Sequence, residues 1–180
     1  MFLNIITPCS RPENLHLISK SINIPTESYR WIIVFDMDIF PNKDLIPDNC
    51  EIYLHRKQNS VVGHAQRNFA IKLIKDGYIY FNDDDTTIHP DLWENIKNID
   101  SDFISFSQLG KNGNLRLLGD IVRVGHIDSH NFIVNTKIIG ETEFLIEKYD
   151  ADGYFAEECF KKSLTKTFIN KPLSIYNLLR

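Results

Sequence analysis

Tyr78-Ile79-Tyr80-Phe81-Asn82-Asp83-Asp84-Asp85-Thr86-Thr87 is the stretch that decides how this chain folds. Four apolar or aromatic residues follow Gly77 and run straight into three consecutive carboxylates, the pattern of a buried strand that ends abruptly. Adjacent carboxylates repel one another, and nothing in folding requires three of them. A divalent cation with a taste for hard oxygen ligands, Mg²⁺ or Mn²⁺, relieves the repulsion and keeps part of its shell open for phosphate oxygens. A solvated acidic turn is the bland alternative. Placement directly after a buried strand favours the cation, because ligand sites in α/β folds lie at the carboxyl ends of strands.

The flanking sequence alternates strand and helix patterns. Phe2–Thr7, Trp31–Phe35 and Cys50–Leu54 read as short strands, and Asp36 closes the second. Pro12–Ile22, Ala65–Lys75 and Pro90–Ile99 carry apolar residues near helical spacing, with Gly77 after one and proline at the start of another. This alternation predicts βαβ units and a mainly parallel sheet covered on both faces. The second half differs. Asp102–Phe106, Leu115–Leu118, Ile121–Val124 and Phe132–Val134 are strand candidates separated by glycines, which predicts a small antiparallel portion. Asp152–Leu164 is the last predicted helix.

The chain has 180 residues, the size of one domain. A net charge of −4 argues against a grip on nucleic acid through its phosphates. The N-terminus has no basic region or small-residue cleavage site, and the longest clean apolar run, Trp31–Phe35, is far too short to span a membrane. A soluble, cytoplasmic protein is the expectation. Cys9, Cys50 and Cys159 form no CxxC pair and read as reduced thiols.

Strand-Asn-Asp-Asp-Asp-Thr resembles the DXD element of GT-A glycosyltransferases, which use nucleotide-sugar donors. Other segments resemble the beta-1,3-glucuronyltransferase family in the same order. Ile6–Pro12 is similar to its first-strand ITPTYxRP element, Trp31–Asp36 to its second strand, and Gln66–Ile71 to its QRNxAL helix start. Asp128–Asn135 is similar to its D-x-x-x-F-x-V-N segment and Gly153–Glu158 to its GGYQES helix start. The resemblance implies a Rossmann-like GT-A α/β sheet flanked by helices, with about residues 1–100 as a nucleotide-binding half and about 101–180 as an acceptor and base half. It also implies metal-dependent transfer of a sugar, from a nucleotide-diphosphate sugar with UDP favoured, to a hydroxyl of a carbohydrate or glycoconjugate acceptor, with inversion.

Carried over residue by residue, the resemblance implies that Pro8 and Arg11 line the nucleotide pocket and that Asp36 accepts a hydrogen bond from the base. Arg67 would reach the base or the diphosphate, where its planar fork suits phosphate. Asp84 would contact the ribose, Asp85 would coordinate Mn²⁺ or Mg²⁺, and Asp83 would support the loop. Asp128 would hold donor hydroxyls. Glu157 or Glu158 would deprotonate the acceptor; the apolar pattern after them favours Glu157, and a one-residue insertion leaves Glu158 open. Their bland alternative is compensation of a helix N-terminus. His126 and His130 are further candidates for substrate or metal contact.

Departures bear on the donor. The tyrosine between Pro8 and Arg11 is absent, and Asn170–Arg180 has no counterpart of the family's C-terminal His-Thr-Arg segment, which speaks against glucuronate. Two rival functions remain. Val34–Phe40 imitates the hhhDxDxT nucleophile motif of haloacid-dehalogenase-type phosphatases, with Asp36 and Asp38 as the reacting carboxylates; Ile39 and Phe40 do not fit that motif. A non-catalytic nucleotide-sugar-binding module is the other.

Overall fold

Trp31–Phe35 and Tyr78–Phe81 have no polar position to give to solvent, so a strand built from either must be covered on both sides. The computed structural model, which describes residues 1–38, 41–56 and 60–180, meets that demand. In chain order the elements are β1 (Leu3–Cys9), α1 (Leu15–Ser21), β2 (Tyr29–Asp36), β3 (Glu51–His55), α2 (His64–Ile71), β4 (Tyr78–Phe81) and α3 (Leu92–Ile96). There follow β5 (Phe103–Leu109), β6 (Leu115–Leu117), β7 (Phe132–Asn135), α4 (Thr136–Ile139), α5 (Ala151–Lys162) and β8 (Lys166–Ile175). The strands form one sheet in the order β3-β2-β1-β4-β7-β5-β6, with β8 also paired to β5. β1, β2, β3 and β4 pair parallel, as does β8 with β5, while β7 and β6 pair antiparallel with their neighbours. This is the mixed, mainly parallel sheet that the sequence predicts.

Strand alternation divides the core into two layers. Ile5, Trp31, Ile33, Phe35, Tyr80 and Ile104 face the layer closed by Leu15, Ile18, Leu92 and Ile96 of α1 and α3. Ile6, Ile32, Val34, Phe81, Phe132 and Val134 face the layer closed by Ala70 of α2 and by Phe155 and Ala156 of α5. Asn4 is a polar residue in this core, and its Nδ2 donates to Asp76 O at 3.0 Å and Tyr78 O at 3.1 Å, which locks β1 to β4. The three cysteines are unpaired thiols.

One expectation fails, and one strand was not expected. Ile121–Val124 is not a strand: Gly119 lies against the Phe106 backbone, and the Val124 N–H donates at 2.7 Å to a side chain, Glu157 Oε1, instead of a strand partner. β8 carries no strand signal in sequence, because Asn170, Lys171 and Pro172 interrupt it; its register shifts against β5 absorb them, and an edge strand tolerates proline. No helix among the described residues is long and apolar enough to cross a membrane. Ile39 and Phe40 of the phosphatase-like motif lie outside the described residues.

Phe81 stands last on β4, with only Asn82 between it and the acidic run. Its ring meets Phe132 at 5.9 Å, Phe144 at 5.1 Å and Phe155 at 5.7 Å, so it ties the central strand to α5. Phe81→Ala leaves a cavity among three aromatic rings and is expected to cost about 3–5 kcal/mol. Urea denaturation checks this, and a loss below about 1 kcal/mol contradicts the packing described.

Candidate functional site

The carboxyl ends of β1, β2 and β4 are neighbours, so Pro8–Arg11, Asp36 and Asn82–Asp85 converge on one edge of the sheet. Each carboxylate of the acidic run has its own partners. Asp84 accepts from Ser10 N at 2.5 Å, Ser10 Oγ at 2.9 Å, Arg11 N at 2.7 Å and Arg11 Nη1 at 2.5 Å. Asn14 Nδ2 donates to the Asp84 carbonyl at 2.8 Å. Asp84 thereby fastens the turn after β1 to the turn after β4, and a ribose hydroxyl would compete with donors already in place.

Asp83 is held from the other side. Arg67 Nη2 of α2 pairs with its Oδ1, and His130 Nε2 lies 3.3 Å from its Oδ2. Burial alone would raise the Asp83 carboxyl pKa, but the Arg67 guanidinium and His130 hold it well below the usual carboxylate range. Arg67 is nearly fully buried, with Nη1 also donating to Val62 O at 2.7 Å. α2 can enter here because its N-cap, Gly63, has φ +78°, and a Cβ on it would meet Pro8 Cβ at 2.7 Å.

Asp85 is the exception. Arg180 Nε pairs with its Oδ2 at 2.8 Å and Leu179 N donates to its carbonyl at 2.7 Å, but Oδ1 is buried with no hydrogen-bond partner. Desolvation and the neighbouring Asp83 charge raise its pKa. No cluster of three or more metal-ligating side chains occurs among the described residues. A hard cation fits here as one held by a single protein oxygen and completed by ligand oxygens and water.

Two cavities meet at this point. The first, about 330 Å³, is lined by Pro8, Arg11, Asp36 and Gln66, and by the acidic run. Gln66 is 4% exposed, and its Oε1 has no partner. The only lining cations of this cavity among the described residues are Arg11 and Arg180, and no lysine is present to serve the phosphatase reading. The second, about 420 Å³, shares Val62, Asp83, Asp85 and Arg180 with the first and continues over Arg116, Asp128, Asp152 and Tyr176.

Asp128 caps the 3₁₀ turn Ser129–Asn131 by accepting from His130 N at 3.0 Å, and its Oδ2 lies 3.1 Å from Arg116 Nη1. Arg116 in turn lies over the Tyr176 ring at 3.8 Å. Burial works to raise the Asp128 pKa, yet His130 and Arg116 bring it down to about 2. His130 is wedged between Asp83 and Asp128. Its Nε2 lies 2.9 Å from Asp83 N and its Nδ1 2.9 Å from Asp128 Oδ1. The two carboxylates outweigh burial and raise the ring's pKa.

Glu157 and Glu158 line neither cavity. Glu157 accepts from Val124 N at 2.7 Å, and exposed Glu158 pairs with Lys161 Nζ at 2.6 Å one turn further along α5. The acid of α5 that does face the second cavity is Asp152, in the first helical turn. Desolvation and the Asp128 charge push it up to about 6. Its position as a first-turn acid is the only sequence signal it gives, and that signal is shared with every helix that compensates its dipole. Arg116 and Arg180 have no local signal at all, since they arrive from β6 and from beyond β8. His126 faces away and contacts Arg123 Nη2 at 3.0 Å.

No family model and no curated protein sequence matches this chain. Solved structures do. Residues 1–349 of S. aureus TarS bound to UDP-GlcNAc superpose with a TM-score of 0.72 at 16% identity, covering 96% of this chain and 57% of that one. The same protein bound to UDP gives 0.73 at 16% identity over 96% and 59%. The mannosyltransferase PcManGT from Pyrobaculum calidifontis, in complex with GDP-Man and Mn²⁺, gives 0.68 at 10% identity over 97% and 56%. The chain has the GT-A glycosyltransferase fold. It spans less than three fifths of the length of these relatives. The narrower likeness to beta-1,3-glucuronyltransferases rests on the sequence motifs alone.

The charge arrangement sets an acid limit on stability. Asp128 titrates near pH 2 when folded and near pH 4 when unfolded, so its contribution is complete above about pH 4 and disappears as the pH falls towards about 2. A loss of about 2 kcal/mol across that window is expected from this group. Urea denaturation between those pH values checks it, and Asp128→Asn should be less stable at neutral pH and flatter across the window.

Proposed function

We propose that this chain is a metal-dependent glycosyltransferase that moves a sugar from a nucleoside-diphosphate sugar to an acceptor hydroxyl with inversion. The observation that carries this reading is Asp85: a buried carboxylate oxygen without a partner, at the junction of two cavities, on the ligand-binding edge of a GT-A sheet. Nucleotide sugars bound to two proteins of the same fold, one with Mn²⁺, support it. Residues 1–180 act as one catalytic domain, in which the first cavity takes the nucleotide and the second takes the sugar and the acceptor.

In the first cavity Pro8 and Gly63 give the base an apolar wall, Asp36 and Gln66 offer it acceptors, and Arg11 stands beside the phosphates. Asp84 and Asp83 keep this cavity in shape through Ser10, Arg11 and Arg67. Asp85 would hold Mn²⁺ or Mg²⁺, which supplies Lewis-acid stabilisation of the charge on the departing diphosphate. Asp128 and Arg116 fix the floor of the second cavity against donor hydroxyls.

Asp152 replaces the glutamates as the general base of this reading. Its carboxylate takes the acceptor O–H proton as that oxygen attacks the anomeric carbon, and the bond from that carbon to the diphosphate oxygen breaks. A base that titrates near 6 is ionised at neutral pH and still basic enough to accept a proton.

Asp152→Asn is expected to lower kcat by about 10²–10⁴-fold while donor binding stays intact, and Glu158→Ala to leave kcat unchanged. Since Asp152 must be ionised, kcat/KM should fall as the pH drops below about 6. If Glu157→Gln abolishes transfer and Asp152→Asn does not, the base is misassigned. The reading as a whole is tested by calorimetry with UDP- and GDP-sugars in Mn²⁺: Asp85→Asn should remove the metal-dependent part of binding. A non-catalytic binding module would bind donor and show no transfer to any acceptor.

A further inference from the structure

The second cavity holds three guanidiniums against five carboxylates, and every one of the three is already committed. Arg67 is paired with Asp83 and donates to Val62 O. Arg116 faces Asp128 at 3.1 Å, donates to Gln108 Oε1 and lies flat on Tyr176. Arg180 is paired with Asp85. Of the two histidines in the lining, His130 sits between Asp83 and Asp128, and His64 is held neutral at neutral pH because burial and Arg67 push its ring down to about 4. Asp150 and Asp152 also line the cavity, and no cation pairs with either among the described residues. Lys148, two residues before Asp150, is turned onto the Tyr154 ring at 4.3 Å and does not line the cavity.

We infer that this cavity accepts an uncharged sugar and excludes a uronate or any other donor whose glycosyl group is anionic. The inference rests on the glycosyltransferase reading and adds the class of its donor. An anionic sugar would lose its hydration on entry, find no unpaired cation, and stand against Asp150 and Asp152; like charges brought together at a desolvated site are a strong element of rejection. A neutral hexose suits the same surface, because committed carboxylates and guanidiniums still have lone pairs and N–H groups for hydroxyls. Arg180 loses its partner if a cation takes Asp85, but the donor's diphosphate then lies at the same junction and claims it first. The raised pKa of Asp152, caused in part by Asp128, reports the same negative field from inside the cavity.

The test is calorimetry on the full chain with Mn²⁺ at neutral pH, using pairs that differ only at C6. UDP-glucose is compared with UDP-glucuronate and GDP-mannose with GDP-mannuronate, with UDP and GDP as references. The neutral member of whichever pair binds should be tighter by about tenfold or more. In Asp150→Asn/Asp152→Asn the gap should narrow, chiefly because the uronate binds better, with affinity for the bare nucleotide unchanged. Asp150→Asn alone gives a smaller change in the same direction and serves if the double variant does not fold. Equal or tighter binding of the uronate overturns the inference and leaves the glycosyltransferase reading standing. A gap that neither variant narrows also overturns it. Failure of every nucleotide to bind, UDP and GDP included, overturns the glycosyltransferase reading and the inference with it.

Discussion

Three carboxylates on consecutive residues cannot remain ionised in a buried turn unless each has its own compensation. Asp83, Asp84 and Asp85 meet that constraint in three directions. Asp84 takes two backbone N–H groups, a hydroxyl and the Arg11 guanidinium from the turn after β1. Asp83 takes Arg67 from α2 and His130 from the turn before β7. Asp85 takes Arg180, from beyond β8. At an effective dielectric of about 20, two charges at 4 Å interact by about 4 kcal/mol, so this compensation decides where those elements can sit. The turn after β4 thereby organises segments that are far apart in the chain.

The fold answers that demand through strand order. β4 lies between β1 and β7, so its carboxyl end is flanked by the end of β1 on one side and by the start of antiparallel β7 on the other. An antiparallel neighbour presents its entry turn at this edge, which is how Asp128 and His130 reach a site otherwise built from strand ends. Of the carboxylate oxygens in the acidic run, Asp85 Oδ1 is the one left buried without a partner among the described residues. A buried acceptor without a partner costs free energy in the empty protein, on the order of 1–3 kcal/mol. A ligand that satisfies it recovers that cost, and the proposed cation is one such ligand.

The parallel half of the sheet was legible because each strand and helix there is continuous and periodic. Trp31–Phe35 and Tyr78–Phe81 could only be strands buried on both faces, and Asp36 and the acidic run mark their carboxyl ends. The second half was legible only in part. Ile121–Val124 has strand-like residues, but Gly119 and the Glu157 carboxylate hold it as a loop. β8 lacks alternation and is placed by its pairing with β5, which no local pattern encodes. Among site residues, Pro8, Arg11, Asp36, Arg67, Asp83, Asp84, Asp85 and Asp128 all come to the two cavities, since motif order reports strand-end positions well. On α5 the acid that lines the second cavity is Asp152, and Glu157 and Glu158 line neither cavity. Motif spacing pointed to Glu157 and Glu158, but helix rotation about one axis decides orientation, and a shift of a single residue turns a side chain by about 100°.

The two carboxylates proposed to do different work, Asp85 and Asp152, are kept apart in character by their surroundings and not by residue type. Both are raised by burial, but Asp85 has Arg180 beside it and a free oxygen, so it is suited to share a cation. Among the described residues Asp152 has no ion-pair partner, and the Gly153 N–H that donates to it at 2.8 Å offsets only part of the effect of burial and of Asp128. A helix N-terminus ordinarily lowers the pKa of an acid there. Here desolvation and a neighbouring anion win, which leaves a carboxylate that titrates close enough to neutrality to exchange a proton. In the proposed reading, the same excess of negative charge over available cations that tunes Asp152 as a base also sets the class of sugar the cavity can admit. Basicity and donor selection are therefore one electrostatic property of this cavity, and a substitution that relieves Asp152 should weaken both together.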